Sequence, residues 1–279
     1  MDEQSKIDEF RSIVRKAYEN DKESFELDLI DELMEKDDWA IRKYLERRKT
    51  VAAGAEMFIN TLKFRNKYNI SQMSDVNFPA EYFKMGLVFD CTKDKQGNDL
   101  MYMRHRFYRK FKDLDLIWRQ FLIYQMDRID KKSNRKGMAI IVDLNNISMD
   151  NTDLDYARWG MTTFGNCCPI SINYILLYNL PRVMISVWNM VKSLLPKDLA
   201  HLIKFCNGDE IFDYVDRKNL PKYLGGDCQL NHYQVPVDCL PLEEFGHQKD
   251  WSQKHIDKIL KTWKPYLEKA ENEMKLLQQ

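Results

Sequence analysis

Two unbroken apolar runs of strand length constrain this fold more than any other feature of the sequence. Residues 138–142 read Met-Ala-Ile-Ile-Val and residues 174–178 read Tyr-Ile-Leu-Leu-Tyr, without the polar alternation of a half-exposed strand. Such strands are typical of the middle of a sheet covered on both faces. A helix-like segment near residues 154–164 separates them, which indicates right-handed crossovers between parallel strands. The sequence therefore predicts an α/β fold with a mixed, largely parallel sheet and flanking helices.

The segment before these strands has a helical pattern. Residues 7–17 and 51–64 place apolar side chains three and four positions apart, the spacing of amphipathic helices. At 279 residues the chain is long enough for an α/β domain with helical additions. We therefore expect a small all-α helical domain at residues 1–75, a central domain at 76–230, and at 231–279 an irregular segment followed by an amphipathic helix.

The charge balance narrows the classes of partner. The chain has 43 basic and 43 acidic residues, whereas nucleic-acid binding normally requires a basic excess, so no nucleic-acid partner is expected. The basic block at residues 104–136 leaves two interpretations open. It is either a solvated helix face or a surface that meets anionic headgroups.

The cysteines and the hydropathy pattern predict a cytoplasmic protein with reduced thiols. The six cysteines form no Cys-x-x-Cys pair and the five histidines are scattered, so we expect no metal site. The first residues lack a basic segment followed by an apolar run, and no stretch approaches the roughly 18 apolar residues of a membrane span.

Two features suggest an enzyme only weakly. Asp143 follows an apolar strand, as magnesium-binding carboxylates do, but no glycine-rich phosphate loop accompanies it, and we expect it to cap the following loop. Cys167 and Cys168 have no nearby histidine or basic residue in the sequence to activate a thiolate. The sequence therefore predicts no catalytic residue and no cofactor.

Residues 181–195 predict a helix too apolar for an ordinary surface helix. Its main polar residues share one narrow stripe. They are Arg182, Ser186, Asn189 and Ser193. Two interpretations remain open, namely a helix sandwiched in a core, or a movable wall with lipid on one side and membrane or protein on the other. A further helix is expected over residues 196–205.

The carboxyl-terminal segment from residue 256 has apolar residues three and four positions apart, interrupted by Pro265. This stripe is compatible with a helix that packs on the domain, a weak coiled coil, or a helix that lies on a membrane surface. The sequence does not decide between them.

The order of strands and helices, together with four local motifs, resembles the CRAL-TRIO family of lipid-binding and lipid-transfer proteins. The similar segments are residues 39–68, with Asn-Thr-Leu-Lys-Phe-Arg at 60–65; residues 138–144, a strand ending in Asp-Leu; residues 174–181, a strand followed by Asn-Leu-Pro; and residues 219–226, Asn-Leu-Pro-Lys-Tyr-Leu-Gly-Gly. The resemblance is specific because the four motifs occur in the same order as in the family. It covers about residues 38–230.

The resemblance implies a cavity floored by the sheet and closed by a gate, which agrees with the two apolar faces of residues 181–195. The implied ligand is a hydrophobic lipid, exchanged during peripheral contact with membranes. The implied lipid-binding residues lie on the two strands and in the gate region. They are Ile140, Val142, Ile175, Leu177, Val187, Trp188, Val191, Leu194, Leu195, Leu199, Leu202 and Ile203.

The sequence departs from the phosphatidylinositol-binding members of the family at two positions. Those members have Glu after the Pro that precedes the second strand, and Lys in the gate region, whereas the matching residues here are Ile170 and His201. The resemblance therefore does not extend to phosphatidylinositol as ligand. His201 is a candidate headgroup contact, and its alternative role is that of a partly exposed helix residue.

The predicted function is non-enzymatic binding and inter-membrane transfer, or presentation, of a lipid by a cytoplasmic, peripherally membrane-associated protein. The alternative is a protein-interaction scaffold with an occluded cavity. In that case the acidic start of the chain and the stripe of the carboxyl-terminal helix would bind a protein partner.

Overall fold

The computed structural model describes residues 2–25, 30, 38–132, 137–166, 172–195 and 200–277. Helices and strands alternate in the second half of the chain. The helices are α1 (Glu3–Asn20), α2 (Asp38–Arg47), α3 (Val51–Tyr68), α4 (Ala80–Lys84), α5 (Asp115–Lys132), α6 (Leu154–Asn166), α7 (Ile185–Ser193), α8 (Leu242–His247) and α9 (Gln253–Leu277). The strands are β1 (Val88–Lys93), β2 (Asp99–Met103), β3 (Met138–Asp143), β4 (Ile172–Tyr178) and β5 (Ile203–Cys206).

The contacts divide the chain into two compact units. The first is Met1–Met73 with Asp155–Pro169, and the second is Ser74–Leu154 with Ile170–Gln279. Helix α6 therefore belongs to the unit that contains the amino-terminal helices, although it follows β3 in the sequence.

The first unit is built around aromatic rings on its helices. Phe58 of α3 meets Phe10 of α1 at a centroid distance of 5.5 Å and Tyr44 of α2 at 4.9 Å, both edge-on. All three rings are buried, and such pairs add to the free energy of apolar burial. The helices start where capping side chains allow it. Asp2 accepts a hydrogen bond from the backbone N–H of Ser5, and Thr50 from that of Ala53.

The second unit contains a mixed sheet in the order β1-β2-β3-β4-β5. Strands β1 and β2 pair antiparallel, whereas the β2–β3, β3–β4 and β4–β5 pairs are parallel. Every residue of β3 is buried, as its unbroken apolar sequence requires of a central strand. The predicted fold class, an α/β fold with a largely parallel sheet preceded by helices, is confirmed.

One face of the sheet forms a core with the irregular segments after β5. Ile211, Val215, Leu220 and Leu224 pack against it and are almost inaccessible to solvent. The paired glycines that end this region have different roles. Gly225 has φ +86°, which L-residues rarely adopt. At Gly226, in contrast, a Cβ atom would lie 1.9 Å from the carbonyl oxygen of Leu220, so space is the constraint.

The helix predicted over residues 196–205 is wrong at its carboxyl-terminal end. Residues 203–206 form β5, which extends the sheet beside β4, and residues 196–199 lie outside the described part of the chain. In Ile203, Lys204 and Phe205 the charged residue separates two apolar ones, a period of two that fits a strand at a sheet edge. The preceding apolar residues hid that alternation in the sequence.

Helix α9 packs on the second unit, which matches the first of its three interpretations. Its residues Ile256, Ile259, Trp263 and Ala270 are buried, and the ring of Trp263 lies edge-on to Tyr82 of α4 at 5.7 Å. The predicted interruption at Pro265 is wrong, because the helix continues through this residue. Packed residues on both sides of the proline hold the backbone helical although one hydrogen bond is lost.

Candidate functional site

The predicted floor residues lie in register on one face of the sheet. Ile140 of β3 pairs with Ile175 of β4, and Val142 pairs with Leu177. Because side chains alternate along a strand, these four side chains share a face. The residues between them belong to the core on the opposite face. They are Ala139, Ile141, Tyr174 and Leu176.

Strand β5 extends this apolar face by two residues. Ile203 pairs with Ile175, and Phe205 pairs with Leu177. Phe205 is a member of the surface that the sequence prediction missed, because that segment was expected to be helical. Phe205 is 47% exposed. Such exposure is unusual for a large apolar ring that lies beside the buried residue of a neighbouring strand. We call the six residues Ile140, Val142, Ile175, Leu177, Ile203 and Phe205 the apolar floor.

Helix α7 presents one half-buried face. Val187, Trp188 and Val191 are partly shielded, as are Leu194 and Leu195 just beyond the helix. The indole of Trp188 contacts the ring of Phe205, which places this face of the helix beside the edge of the apolar floor. The predicted gate and floor therefore adjoin at this point.

The opposite side of α7 is exposed although it carries apolar residues. Val183, just before the helix, is 80% exposed, Ile185 is 48% exposed and Met190 is 53% exposed. No residue of Ile185–Ser193 is buried. The interpretation of this helix as one sandwiched in a core is therefore wrong. Within the described residues, neither side of the helix is covered in the way that its composition would require of a core element.

The remaining predicted site residues lie around the start of β5. Leu202 and Ile203 are half-buried, and His201 is exposed in the turn before the strand, not on a helix. Leu199 and Ile170 lie outside the described residues, so their predicted roles stay predictions.

Asp143 caps a loop and pairs with an arginine. Its Oδ1 accepts a hydrogen bond from the backbone N–H of Asn145 at 3.0 Å, and its Oδ2 lies 3.1 Å from Nε of Arg106. The carboxylate thus has one hydrogen bond and one ion pair, both to groups within the protein, as expected for a structural aspartate. Cys167 and Cys168 lie outside the described residues. Among the residues the structure describes, no three His, Cys, Asp or Glu side chains are grouped to hold a metal ion.

Arg104 departs most from the sequence interpretation. The basic block was expected to be a solvated face or a headgroup surface, yet the Arg104 side chain has no exposed surface. Its guanidinium lies 2.6 Å from Oε2 of Glu273 on α9 and over the rings of Phe107 and Tyr223. Burial opposes the ionisation of Glu273, but Arg104, the Tyr233 hydroxyl and Arg106 together outweigh this effect, and the pKa of Glu273 is lowered. The arginine therefore joins the end of α9 to the sheet.

The helices have no membrane-spanning candidate in the ranges that the structure describes, since none combines the necessary length with sufficient apolar character.

The same fold occurs in a solved structure. The crystal structure of Sfh5 superposes with a TM-score of 0.59, covering 92% of this chain and 97% of that one at 14% identity. The CRAL/TRIO domain model matches residues 83–226, more than half of the chain. The chain therefore belongs to the CRAL/TRIO domain family.

The chain covers different shares of its curated relatives. A CRAL-TRIO domain-containing protein of Schizosaccharomyces pombe is 25% identical over 79% of this chain and 65% of that protein. The phosphatidylinositol transfer protein SFH5 of Scheffersomyces stipitis is 24% identical over 75% of this chain and 73% of its own. Human tyrosine-protein phosphatase non-receptor type 9 is 20% identical over 78% of this chain, which covers only 40% of the phosphatase.

Proposed function

We propose that this chain binds a hydrophobic lipid between the apolar floor and the half-buried face of α7, and exchanges it with membranes by peripheral contact. No chemical step is part of the proposal, so the chain acts as a carrier. The relatives named phosphatidylinositol transfer proteins support the general class of function.

One observation carries this proposal. The six side chains of the apolar floor share a face of the sheet, and the gate helix beside it has an apolar face that protein packs only in part. A helix with this composition is stable beside water only if another apolar group, from the protein or from a ligand, covers part of its surface. A lipid chain between helix and floor supplies such a body.

The energetics favour a closed site. Each methylene that leaves water contributes about 0.8 kcal/mol, so a two-chain lipid leaves a bilayer only if the protein offers comparable apolar contact. The exposed residues Val183, Ile185 and Met190 give the outer side of α7 a surface that matches the interior of a membrane. We infer that the helix opens there and closes again over its ligand.

Native mass spectrometry of the purified protein, followed by lipid extraction, is the direct test. We expect a mass increment that corresponds to one lipid, and uptake of labelled lipid from vesicles by the emptied protein. A protein that is purified empty and also takes up no labelled lipid would contradict the proposal.

A matched set of variants locates the activity. Trp188→Asp and Leu195→Asp place a charge on the half-buried face of the gate region, whereas Asn189→Asp places the same charge on the exposed side. Because an unpaired charge is costly in an apolar site, the first two variants are expected to lose lipid uptake and the third to keep it. Equal lipid uptake by all three variants would show that the half-buried face of α7 does not bind the lipid.

The proposal includes one contact to the lipid headgroup. Exposed His201 lies at the start of β5, near the apolar floor in sequence, and we propose it as a headgroup contact. The extracted lipid identifies the class of ligand. If it is phosphatidylinositol, the departures at Ile170 and His201 do not determine ligand choice.

The scaffold alternative is distinguished by the same variants. Burial of Ile256, Ile259, Trp263 and Ala270 within the unit removes these residues of the carboxyl-terminal stripe from contact with an external partner. Under the scaffold interpretation, Trp188→Asp and Leu195→Asp would leave lipid exchange absent in both wild type and variant and would change only protein binding.

A further inference from the structure

A groove lies along α9, beside the flank that packs on the rest of the second unit. Its volume is about 800 Å³, and the helix forms one wall while α4 and the segment around Tyr233 and Val235 form the other. Along the helix wall, Leu260, Leu267 and Met274 recur every seventh residue, and each is only half-buried. A repeat of seven along one side of a helix is the pattern of a seam that receives another helix.

Charges beside this seam are separated by sign. Lys261 and Lys264 lie toward the beginning of the seam, and Glu268 and Glu271 toward its end. The side chains of Lys264 and Glu271 are 74% and 61% exposed, respectively. Their contacts within α9 are long, 4.0 Å from Lys264 to Glu268 and 3.7 Å from Glu271 to Lys275, and exposed pairs of this kind are weak. Both charges therefore remain available to a partner.

The charges and apolar residues of one α9 are complementary to those of a second α9 that runs in the opposite direction. If a second α9 lies antiparallel, with a two-fold axis near Leu267, the Leu260 of each copy lies opposite Met274 of the other. Lys264 of each copy then comes within one helical residue, about 1.5 Å along the axis, of Glu271 of the other. A parallel arrangement would instead bring like charges together. Antiparallel self-association therefore pairs apolar with apolar residues and brings opposite charges together, as a symmetric isologous interface does.

We propose that the groove beside α9 is a homodimer interface, in which two copies of the chain pack their helices antiparallel about Leu267. The seam spans about 21 Å of helix, so the contact is small beside a standard interface of roughly 1,200–2,000 Å². The dimer is therefore weak and forms in the micromolar range of concentration. It is independent of the lipid site, because α7 and the apolar floor contribute no residue to the groove.

Sedimentation velocity over a concentration series of the full chain is the primary measurement. We expect a monomer at low micromolar concentration that shifts toward a dimer as concentration rises. Lys264→Glu makes the seam acidic and Glu271→Lys makes it basic, and each change occurs twice in a symmetric dimer. Each variant alone is expected to weaken dimerisation about tenfold or more, whereas Lys258→Glu, outside the groove, leaves it unchanged.

Rescue makes the test specific. An equimolar mixture of the Lys264→Glu and Glu271→Lys proteins is expected to form a heterodimer, and the doubly exchanged chain is expected to recover the homodimer. Far-ultraviolet circular dichroism and melting temperature show whether each variant is folded. A wild type that remains monomeric at all concentrations would overturn the proposal. So would dimers indifferent to both exchanges, or a groove that binds vesicles or another protein while the chain stays monomeric.

Discussion

The indole of Trp188 on α7 meets the ring of Phe205 on β5 edge-on, with centroids 5.1 Å apart and ring planes at 85°. Both residues belong to the second unit, and the contact joins a helix without a buried residue to the edge of the sheet. The helix is thus held in place by few groups, as is typical of segments that open locally at low free energy.

Loss of this contact is expected to loosen α7 without unfolding the protein. In Phe205→Ala, the backbone amides of Ile185–Ser193 should exchange with deuterium faster than in wild type, because an aromatic pair of this geometry contributes about 0.5–1.5 kcal/mol beyond burial. Asn189→Ala, on the exposed side, is the control. Unchanged exchange in α7, or a collapse of the whole sheet, would contradict this role.

The central strands were predictable from the sequence, and the gate was predictable only in part. An unbroken apolar strand is compatible with few positions in a protein, so β3 and β4 followed directly from their residues. Strand β5 did not, because Lys204 at a sheet edge also fits an amphipathic helix. The burial of Arg104 had no local signal, since its partner Glu273 lies on a distant helix and ion pairs leave no periodicity in a sequence.

Removal of one member of the buried ion pair is expected to be severe. Glu273→Gln leaves the Arg104 charge without its carboxylate, and breaking such a pair costs about 3–5 kcal/mol. Denaturant unfolding measures this loss. Glu244→Gln, at an exposed position of α8, should change stability by less than about 0.5 kcal/mol. The combined Arg104→Met and Glu273→Leu protein should be more stable than Glu273→Gln alone, and equal losses in all three would show that the pairing is irrelevant.

Acidification is expected to destabilise the protein through His232. Burial and the nearby Arg104 charge lower the pKa of His232 to about 4, against about 6.5 in an unfolded chain. Between these values the unfolded chain binds a proton that the folded protein does not. The contribution of His232 to the free energy of unfolding should therefore be constant above about pH 6.5 and fall below it, by at most about 1.4 kcal/mol per pH unit.

Melting temperatures at pH 7 and pH 5 test this dependence. Burial also lowers the pKa of His105 to about 4, which acts in the same direction, so His232→Phe should reduce the pH dependence without abolishing it. His247→Asn, at an exposed position, should leave it unchanged. A stability that rises on acidification would have the wrong sign for buried neutral histidines.

The outer side of α7 should affect membrane contact more than lipid loading. Val183→Asp and Met190→Asp place charges on exposed apolar positions, where they oppose insertion into a bilayer. We expect slower transfer between vesicles, with the same mass increment in native mass spectrometry. Equal loss of loading and transfer would show that the outer and inner sides of the helix have the same role.

Gly226 should tolerate no side chain. A Cβ atom there would meet the backbone of Leu220 at 1.9 Å, and the backbone must move to relieve such an overlap, at a cost of about 3 kcal/mol. Gly226→Ala is therefore expected to lower the midpoint of denaturant unfolding strongly. Gly160→Ala, in helix α6 with its nearest neighbour at 3.7 Å, should be neutral or slightly stabilising, and similar effects at both positions would refute the steric argument.

The ion pair between Arg104 and Glu273 determines which fragments of the protein can fold. The family signature ends at Gly226, well before the residue that balances this interior charge. A recombinant fragment of residues 83–226 would retain the buried guanidinium of Arg104 in an apolar environment and would lack the carboxylate of Glu273. The segment that folds on its own is therefore longer than the residues that match the domain model. Soluble expression is expected to require α9.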